Sequence, residues 1–465
     1  MSYARSYNDN VNLKKLALAY GFSSFLIGFA STDVLTRYLD LAFSLEWGIS
    51  NTIFLFLLIT PIILILTLLS PLLGHISDKK VRDKGRRRFW IKYSLIILVV
   101  TIILLYLSPI QFGISNELIN VLYFSIILIF YLGAIWIFNL NYSALFPEMF
   151  QDLNLRSYAI TIALTFSLTG TSTYFFVYQY LLNTIEIYIG VILGGIVIIG
   201  GVILLKYGIY EPYSNIQIGV KSNVKEKFGI FSKNNKIFLW FLVVFFFILI
   251  SDSLIGMLIS SYWAYLEFTS FSWAILVNLI YIIPNAVGIV FILYWRRWVP
   301  TLGIKKVLFR IMIFILILII PLLFLNDFIS GIIFISILTG FLAGIPFLMI
   351  LFLSIIIDND SFDSNRRREG LYFGIYQVLN FIAIYFSTFM VAISLIFNPW
   401  LDLVSDLETF LLIDKINYGI LAIIFIGISL LLIKKISIDK ETYDVIEMRI
   451  KTSDLHKSDN PAPYK

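Results

Sequence analysis

Cysteine is absent from the 465-residue sequence, and histidine occurs only twice, at His75 and His456. Without cysteine the chain can form neither a disulfide nor a thiolate metal site, and two histidines are too few for a histidine metal site. We therefore expect no metal and no cofactor. Charged residues are also scarce, at 14%. Hydrophobic residues make up 59%, and the mean hydropathy is +0.90, which is more apolar than a water-soluble domain requires.

Long apolar runs account for this composition, and runs of about twenty residues predict membrane-spanning helices. The runs are continuous rather than alternating, which excludes a β-barrel pattern. The predicted fold class is an all-α polytopic membrane protein with 12 transmembrane helices. The predicted spans lie near 15–43, 48–76, 90–110, 118–146, 157–182, 186–210, 237–266, 271–295, 307–325, 330–357, 370–398 and 416–433.

Basic residues are confined to every second connection between these spans. Of the 35 Lys and Arg residues, all except Arg37 and Lys415 fall in the two termini or in loops on one side. Because basic residues collect on the cytoplasmic side, we expect a multi-pass protein of the cell membrane with both termini in the cytoplasm. The net charge of +6 then reflects topology and contact with membrane lipid, and no nucleic acid partner is expected.

One long internal hydrophilic stretch divides the spans into two groups of six. We predict an N-terminal six-helix half at 1–210, a cytoplasmic central loop at 211–236, a C-terminal six-helix half at 237–434 and a cytoplasmic tail at 435–465. We expect the protein to be a monomer.

A charged motif follows the second predicted span. Residues 74–80 read GHISDKK and residues 85–88 read GRRR. A helix that ends in Gly and Asp, followed by a glycine turn and a basic cluster, can bridge to neighbouring helix ends and hold one conformation closed. The alternative is a simple anchor of basic residues at the cytoplasmic surface, which explains the arginines but not the spacing of Gly74 and Asp78.

This segment resembles the loop between the second and third helices of major facilitator superfamily transporters. Two others, YSALFPE at 142–148 and RRREGLYFG at 366–374, are similar to segments of the glycoside-pentoside-hexuronide:cation symporter family (melibiose/sucrose transporter-like). The resemblance implies the major facilitator fold and alternating access, with sugar transport coupled to sodium or protons. It also implies that Asp78, Arg86, Glu148 and Arg156 form a cytoplasmic gate.

The sequence departs from this family at its cation and sugar ligands. The acids of sodium-coupled members fall on Leu66, Ser70 and Asn139, an arginine falls near Ala163, and a lysine falls near Phe381. We therefore do not expect sodium coupling.

Charged residues inside the predicted spans are candidates for coupling, because a charge in the bilayer is costly. Asp252 lies in the middle of the seventh span with no basic sequence neighbour. Asp33 and Arg37 share one face of the first span. Arg37 either forms only a local ion pair with Asp33 or also reaches Asp252. In the second case, protonation of Asp252 would break its ion pair with Arg37. Uncoupled transport, with Asp252 in a polar helix contact, is the alternative.

Several predicted helices carry stripes of amide and aromatic side chains, which suit a polyol. The candidates for substrate binding are Trp136, Asn139, Asn278, Tyr281, Tyr376, Gln377 and Asn380. Hydrogen bonding between helices explains such stripes equally well.

The sequence favours a secondary active transporter of a sugar or glycoside. Two alternatives remain: a carrier of an amphipathic solute such as a lysolipid or drug-like molecule, and a membrane sensor or interaction protein that no longer transports. We do not expect an enzyme, because no metal cluster, nucleophile motif or phosphate loop is found in the sequence.

Overall fold

Helices account for nearly all of the chain that the computed structural model describes, and no described residue forms a β-strand. The described residues are 12–25, 28–29, 64–79, 85–107, 116–150, 152–181, 186–211, 235–267, 273–325, 328–364, 367–396, 407–438 and 445.

Helices occupy the positions of all twelve predicted spans. The first two are described in part, as α1 at 13–25 and α2 at Ser70–Lys79, with a helical approach from residue 64. The others in the first half are α3 at Arg86–Leu105, α4 at Glu117–Met149, α5 at Leu153–Leu181 and α6 at Glu186–Ile203. The second half contains α7 at Lys236–Glu267, α8 at Trp273–Leu302, α9 at Ile304–Phe324, α10 at Phe328–Leu342 and Gly344–Ser364, α11 at Glu369–Ile396 and α12 at Leu407–Leu432.

Their length and composition agree with a membrane protein. Eight helices within the described residues are long and apolar enough to cross a bilayer. Large apolar side chains such as Ile65, Phe130, Ile199 and Phe389 remain more than half exposed. In a membrane these side chains face lipid, so the predicted class of all-α polytopic membrane protein is confirmed.

Helix packing joins the predicted N-terminal half, 1–210, to the predicted C-terminal half, 237–434, along two seams. Within the halves, α3 packs on α4 and α6, and α7 packs on α12. Between the halves, α2 packs on α11, and α5 packs on α8. A further contact joins α4 to α11.

The seam between α2 and α11 depends on glycine. A Cβ on Gly74 would collide with the backbone of Gly370, and a Cβ on Gly374 would lie 2.6 Å from the carbonyl oxygen of Ser70. Small residues let helix backbones approach closely in membranes. Gly74 and Gly370 both lie where α2 ends and α11 begins, so the approach is closest at that end of the bundle. We call it the charged end, because the ion pairs described next lie there.

Candidate functional site

Asp78 lies in the last turn of α2 and contacts the first turn of α11 in the other half. Its carboxylate accepts hydrogen bonds from the backbone N–H groups of Gly370 and Leu371, each at 3.0 Å. The first amides of a helix have no partner within the helix and carry partial positive charge. A Cβ on Gly370 would lie 2.8 Å from Asp78 Oδ1, so only glycine leaves room for this contact.

Arg86 and Arg87, in the first turn of α3, connect three acids at the charged end. Arg87 Nη2 lies 2.7 Å from Asp78 Oδ1 and 3.2 Å from Glu369 Oε2, and Arg87 Nε lies 3.2 Å from Glu148 Oε1. Arg86 forms an ion pair with Glu148, and its Nη2 lies 3.2 Å from Glu369 Oε2. Since Glu369 belongs to α11, both Arg86 and Arg87 in the first half bind an acid of the second half.

A second set of ion pairs joins α5 to α10 and α11. Arg156 Nη1 lies 2.6 Å from Asp358 Oδ2, and Arg367 Nη2 lies 3.5 Å from Asp358 Oδ1. Arg367 also pairs with Glu369 and donates to the carbonyl oxygen of Pro147 on α4 at 3.4 Å. The two sets therefore form one continuous network across the halves.

Glu211, after α6, fixes the start of the helix that carries Arg86 and Arg87. Its carboxylate accepts hydrogen bonds from the backbone N–H groups of Arg86 at 2.8 Å, Arg87 at 3.4 Å and Arg88 at 3.0 Å. Gly85, which precedes α3, has φ 93°, a conformation that favours glycine. Burial, followed by the nearby Glu148 carboxylate, raises the pKa of Glu211 above its ordinary value.

The network is buried and its charges are balanced. Its four arginines and four acids are at most 6% exposed, except Arg367 at 16%. The members are Asp78, Arg86, Arg87, Glu148, Arg156, Asp358, Arg367 and Glu369. In such a site each charge depends on its partners, and removing one typically costs about 3–5 kcal/mol. The arrangement can therefore hold the charged end shut.

The four residues predicted as a gate all lie in this network. Arg86 and Glu148 are direct partners. Asp78 is linked to them through Arg87, and Arg156 is linked through Asp358 and its partners. Their role as a gate remains a prediction.

Sequence reasoning missed the remaining members. Arg87 lies within the segment GRRR at 85–88, and Arg367 and Glu369 lie within the segment RRREGLYFG at 366–374. Asp358 and Glu211 carried no motif, and only the contacts with Arg156 and with the start of α3 single them out.

Asp252 lies in α7, away from the charged end. It makes no hydrogen bond or ion pair with any residue that the structure describes, although Tyr376 on α11 is close enough to interact with its charge. The next residue joins the same two helices, because Ser253 Oγ lies 2.7 Å from Ser387 Oγ. The predicted partners of Asp252, Asp33 and Arg37, lie outside the described residues.

The candidate substrate residues of α4 lie beside α11. Trp136 packs edge-to-face against Phe381, with the ring centroids 5.9 Å apart. Asn139 is exposed and, three residues further on, shares the helix face of Trp136. An exposed amide beside a contact between the halves suits a polar solute.

The candidates on α11 are only partly exposed, and they follow one another along the helix. These are Tyr376, Gln377 and Asn380. The amide oxygen of Gln377 is buried and lacks a hydrogen-bond partner among the described residues, which is costly unless a ligand or water satisfies it. Asn278 and Tyr281 belong to α8, but their side chains fall outside the described part of the chain.

Comparisons with known proteins agree with this architecture. The sequence profile described as MFS/sugar transport protein matches residues 19–440. A structure of the E. coli fucose:proton symporter is 14% identical, with a TM-score of 0.59, over 91% of this chain and 99% of that one. A proton:xylose symporter is 14% identical, with a TM-score of 0.64, over 93% and 98%. A bacterial homologue of the iron transporter ferroportin is 14% identical, with a TM-score of 0.62, over 92% and 100%. A search of curated protein sequences found no match.

The fold of the chain is shared with these solved membrane proteins, and the profile match defines the class as a transporter of the major facilitator superfamily. The match over most of the sequence identifies the family: the chain belongs to the MFS/sugar transport proteins. The resemblance drawn from the three sequence segments is thereby confirmed.

Proposed function

We propose that this protein is a secondary active transporter that moves a sugar or glycoside by alternating access and couples that movement to protons. The buried ion-pair network between the halves carries the proposal. A fixed assembly would not need to hold two halves together with ion pairs, whereas a protein that opens and closes can exchange them for water. The gate is Asp78, Arg86, Glu148 and Arg156, together with the acids and arginines that join them.

The charged end faces the cytoplasm in this proposal. The distribution of Lys and Arg supports that orientation, since all but two lie on the same side as this end. The network then closes the cytoplasmic side, and the solute enters from outside. Both termini and residues 211–236 lie in the cytoplasm. The two halves, 1–210 and 237–434, move relative to each other about the seams.

The substrate site lies between α4 and α11, with α8 contributing Asn278 and Tyr281. Sugars are bound by amide and hydroxyl groups beside an aromatic ring. Trp136 supplies such a ring, and Asn139, Gln377 and Asn380 supply amides. The family description and the names of the fucose and xylose symporters support a sugar over other solutes.

Coupling depends on Asp252. Its carboxylate has no ion-pair partner among the described residues, and it lies near the hydroxyl of Tyr376 in the substrate region. A carboxylate inside a membrane-spanning helix can be neutral or charged according to its surroundings, so proton uptake changes the charge next to the solute. Sodium is not needed, because the positions of the family's sodium ligands hold Leu66, Ser70 and Asn139.

The test is uptake by proteoliposomes that contain the purified protein. A panel of labelled sugars, including fucose and xylose, is offered with and without an inward proton gradient, each with and without sodium. We expect at least one sugar to accumulate with the proton gradient alone. Accumulation that requires sodium would refute proton coupling. Transport of only amphipathic solutes would refute the sugar assignment, and no transport of either class would favour a sensor.

Orientation is tested separately with single cysteines, which the chain permits because it has none of its own. Cysteine at Ser222 should be protected from an impermeant thiol reagent in intact cells, whereas cysteine at Asn116 should react. The reverse pattern would show that the topology is inverted.

A further inference from the structure

A basic surface lies where α8, α9 and α12 meet, away from the seams between the halves. It consists of Arg297, Lys305, Lys306, Arg310, Lys434 and Lys435, and we call it the basic surface. Lys305 Nζ donates a hydrogen bond to the carbonyl oxygen of Lys434 at 3.4 Å, which places the start of α9 beside the end of α12. All six residues are exposed except Lys305, which is partly exposed. Charges of one sign therefore converge on it from three helices.

Five of the six residues of the basic surface lack an acid partner among the described residues. Arg297, Lys306, Arg310, Lys434 and Lys435 each lack an ion pair with any described carboxylate. Like charges held close together repel one another and attract an anion from their surroundings. The gate is different, because there each arginine has an acid partner.

The two halves differ in the charges that lie at the starts of their third helices, α3 and α9. Both α3 and α9 begin after a glycine with positive φ, Gly85 at 93° and Gly303 at 81°, and each is the third helix of its half. In the first half the chain brings the Glu211 carboxylate from the end of α6 to the start of α3. In the second half the end of α12 brings lysines to the start of α9. One half supplies its own anion, and the other adds further positive charge.

The surroundings of the basic surface suit a lipid. Arg310 lies over the ring of Trp298, 5.3 Å from its centroid, and tryptophan is enriched at the membrane–water interface. Beside it, Tyr294, Phe314 and Leu431 are 47%, 43% and 72% exposed. These apolar side chains lie on the same three helices, so a headgroup on the basic surface would have acyl chains along their lipid-facing sides.

We propose that the basic surface binds the phosphate headgroup of an anionic phospholipid, whose acyl chains lie along α8, α9 and α12. The phosphate contacts Lys306, Arg310, Lys434 and Lys435. A bound lipid of this kind would supply an anion to the start of α9, where the first half places the Glu211 carboxylate at the start of α3. The proposal does not rest on the identity of the solute or on proton coupling.

The test measures lipid binding directly and does not use transport. Purified, delipidated protein is titrated with phosphatidylglycerol or phosphatidylcholine, and bound lipids are counted by native mass spectrometry. The variant carries Lys306→Gln, Arg310→Gln, Lys434→Gln and Lys435→Gln. Because basic residues near a membrane surface strengthen the binding of anionic lipids, we expect the affinity for phosphatidylglycerol to fall at least about tenfold. Phosphatidylcholine binding should not change.

The matched control removes exposed basic residues from the first half, with Lys92→Gln and Lys206→Gln. This control should keep full affinity for phosphatidylglycerol. Equal loss in the control, or no loss in the fourfold variant, would overturn the proposal. If the variant with all four substitutions does not purify as a single species, the double variant with Lys434→Gln and Lys435→Gln is measured instead. We expect this double variant to lose an intermediate amount of affinity for phosphatidylglycerol. Displacement of the lipid by inorganic phosphate at equal concentration would show a free-anion site and would also overturn it.

Discussion

The charged end and the centre of this protein use charge in opposite ways. At the charged end, four arginines and four acids are buried together and each has a partner. In the centre, Asp252 has no ion-pair partner among the described residues, and the hydroxyl of Tyr376 is close enough to interact with its charge. A balanced network is stable in one arrangement and must be broken to open. A single carboxylate responds to a proton or a bound solute.

The difference explains how protonation of Asp252 in the centre could control the opening of the charged end. The network and Asp252 both interact with α11, because this helix carries Glu369 at its first turn and Tyr376, the neighbour of Asp252, two turns later. Asp78 holds the start of that helix through its backbone. Movement of α11 would therefore change both the ion-pair network and the surroundings of Asp252. The predictions below alter one region and ask whether the other responds.

The largest effect is expected from Asp78→Asn at the charged end. The asparagine loses the charge that pairs with Arg87 and with the start of α11, while Arg87 stays buried. Breaking a buried pair costs about 3–5 kcal/mol, so the closed form should lose more than about 100-fold in population relative to the open form. Transport should slow, and a cysteine introduced beside the network should become more reactive.

Asp360→Asn is the matched control for that change. Asp360 lies near the same end but pairs with Arg368, within the second half. It should change thiol reactivity far less than Asp78→Asn. Equal reactivity in the two variants, or an unchanged transport rate in Asp78→Asn at normal expression, would contradict a gating role for Asp78.

A smaller effect is expected from Asp252→Asn in the centre. Asparagine resembles the protonated form, so the variant should bind solute and exchange it but no longer respond to a proton gradient. For one proton per solute, a gradient of one pH unit supports about tenfold accumulation, and the variant should show none. Counterflow and gradient-driven uptake measure the two activities separately.

Asp252→Glu tests whether a titratable group is what matters. It keeps the carboxylate and should retain part of the accumulation. Full gradient-driven uptake by Asp252→Asn would exclude Asp252 as the proton-responsive group.

The smallest effect concerns Glu211, which supports the network from outside. Burial raises its pKa, so the folded protein binds this proton more tightly than the unfolded chain. Its stabilising contribution is therefore greatest at acidic pH and is lost as the pH rises through the raised pKa. At neutral pH, Glu211→Gln should be as stable as the wild type or slightly more stable. At acidic pH the wild type gains stability, so the variant should lose this advantage over the wild type.

Glu211→Ala separates the charge of Glu211 from its hydrogen bonds. It removes every acceptor from the start of α3 and should cost about 0.5–2 kcal/mol, as loss of a helix cap does. Thermal unfolding of the three proteins at neutral and acidic pH decides the matter. Equal destabilisation by Gln and Ala at neutral pH would show that the charge itself is required.

Much of the fold followed from the sequence, because spans in lipid must be apolar and helical. The twelve runs and the charged motifs sufficed to place the helices and to indicate the family. Boundaries were less certain: α4 extends to Met149, three residues beyond the predicted span, because its last turn ends in the polar segment that carries Glu148. Such a turn is helical through its tertiary contacts rather than its hydropathy.

The site was predicted only in part. Gate residues in a motif could be named, but a partner such as Asp358 is defined by the packing of α10 beside α5, which no local pattern records. Glu211 was placed at the start of the central loop, and nothing in its sequence surroundings indicates that it reaches back to α3. For the centre, the sequence showed only stripes of polar side chains, and such stripes do not distinguish a solute site from contacts between helices.

The account predicts that the charged end must open during each transport cycle, and a reversible cross-link tests this most directly. Ser157 Oγ on α5 lies 3.4 Å from the carbonyl oxygen of Arg296 on α8, across the seam between the halves. Ser157→Cys and Arg296→Cys would introduce the protein's only thiols, which can be joined by oxidation or by a short bifunctional reagent. Joining them should abolish net uptake of the transported sugar, reduction of the disulfide should restore it, and each single variant should transport throughout. Undiminished uptake by the fully cross-linked protein would contradict the account.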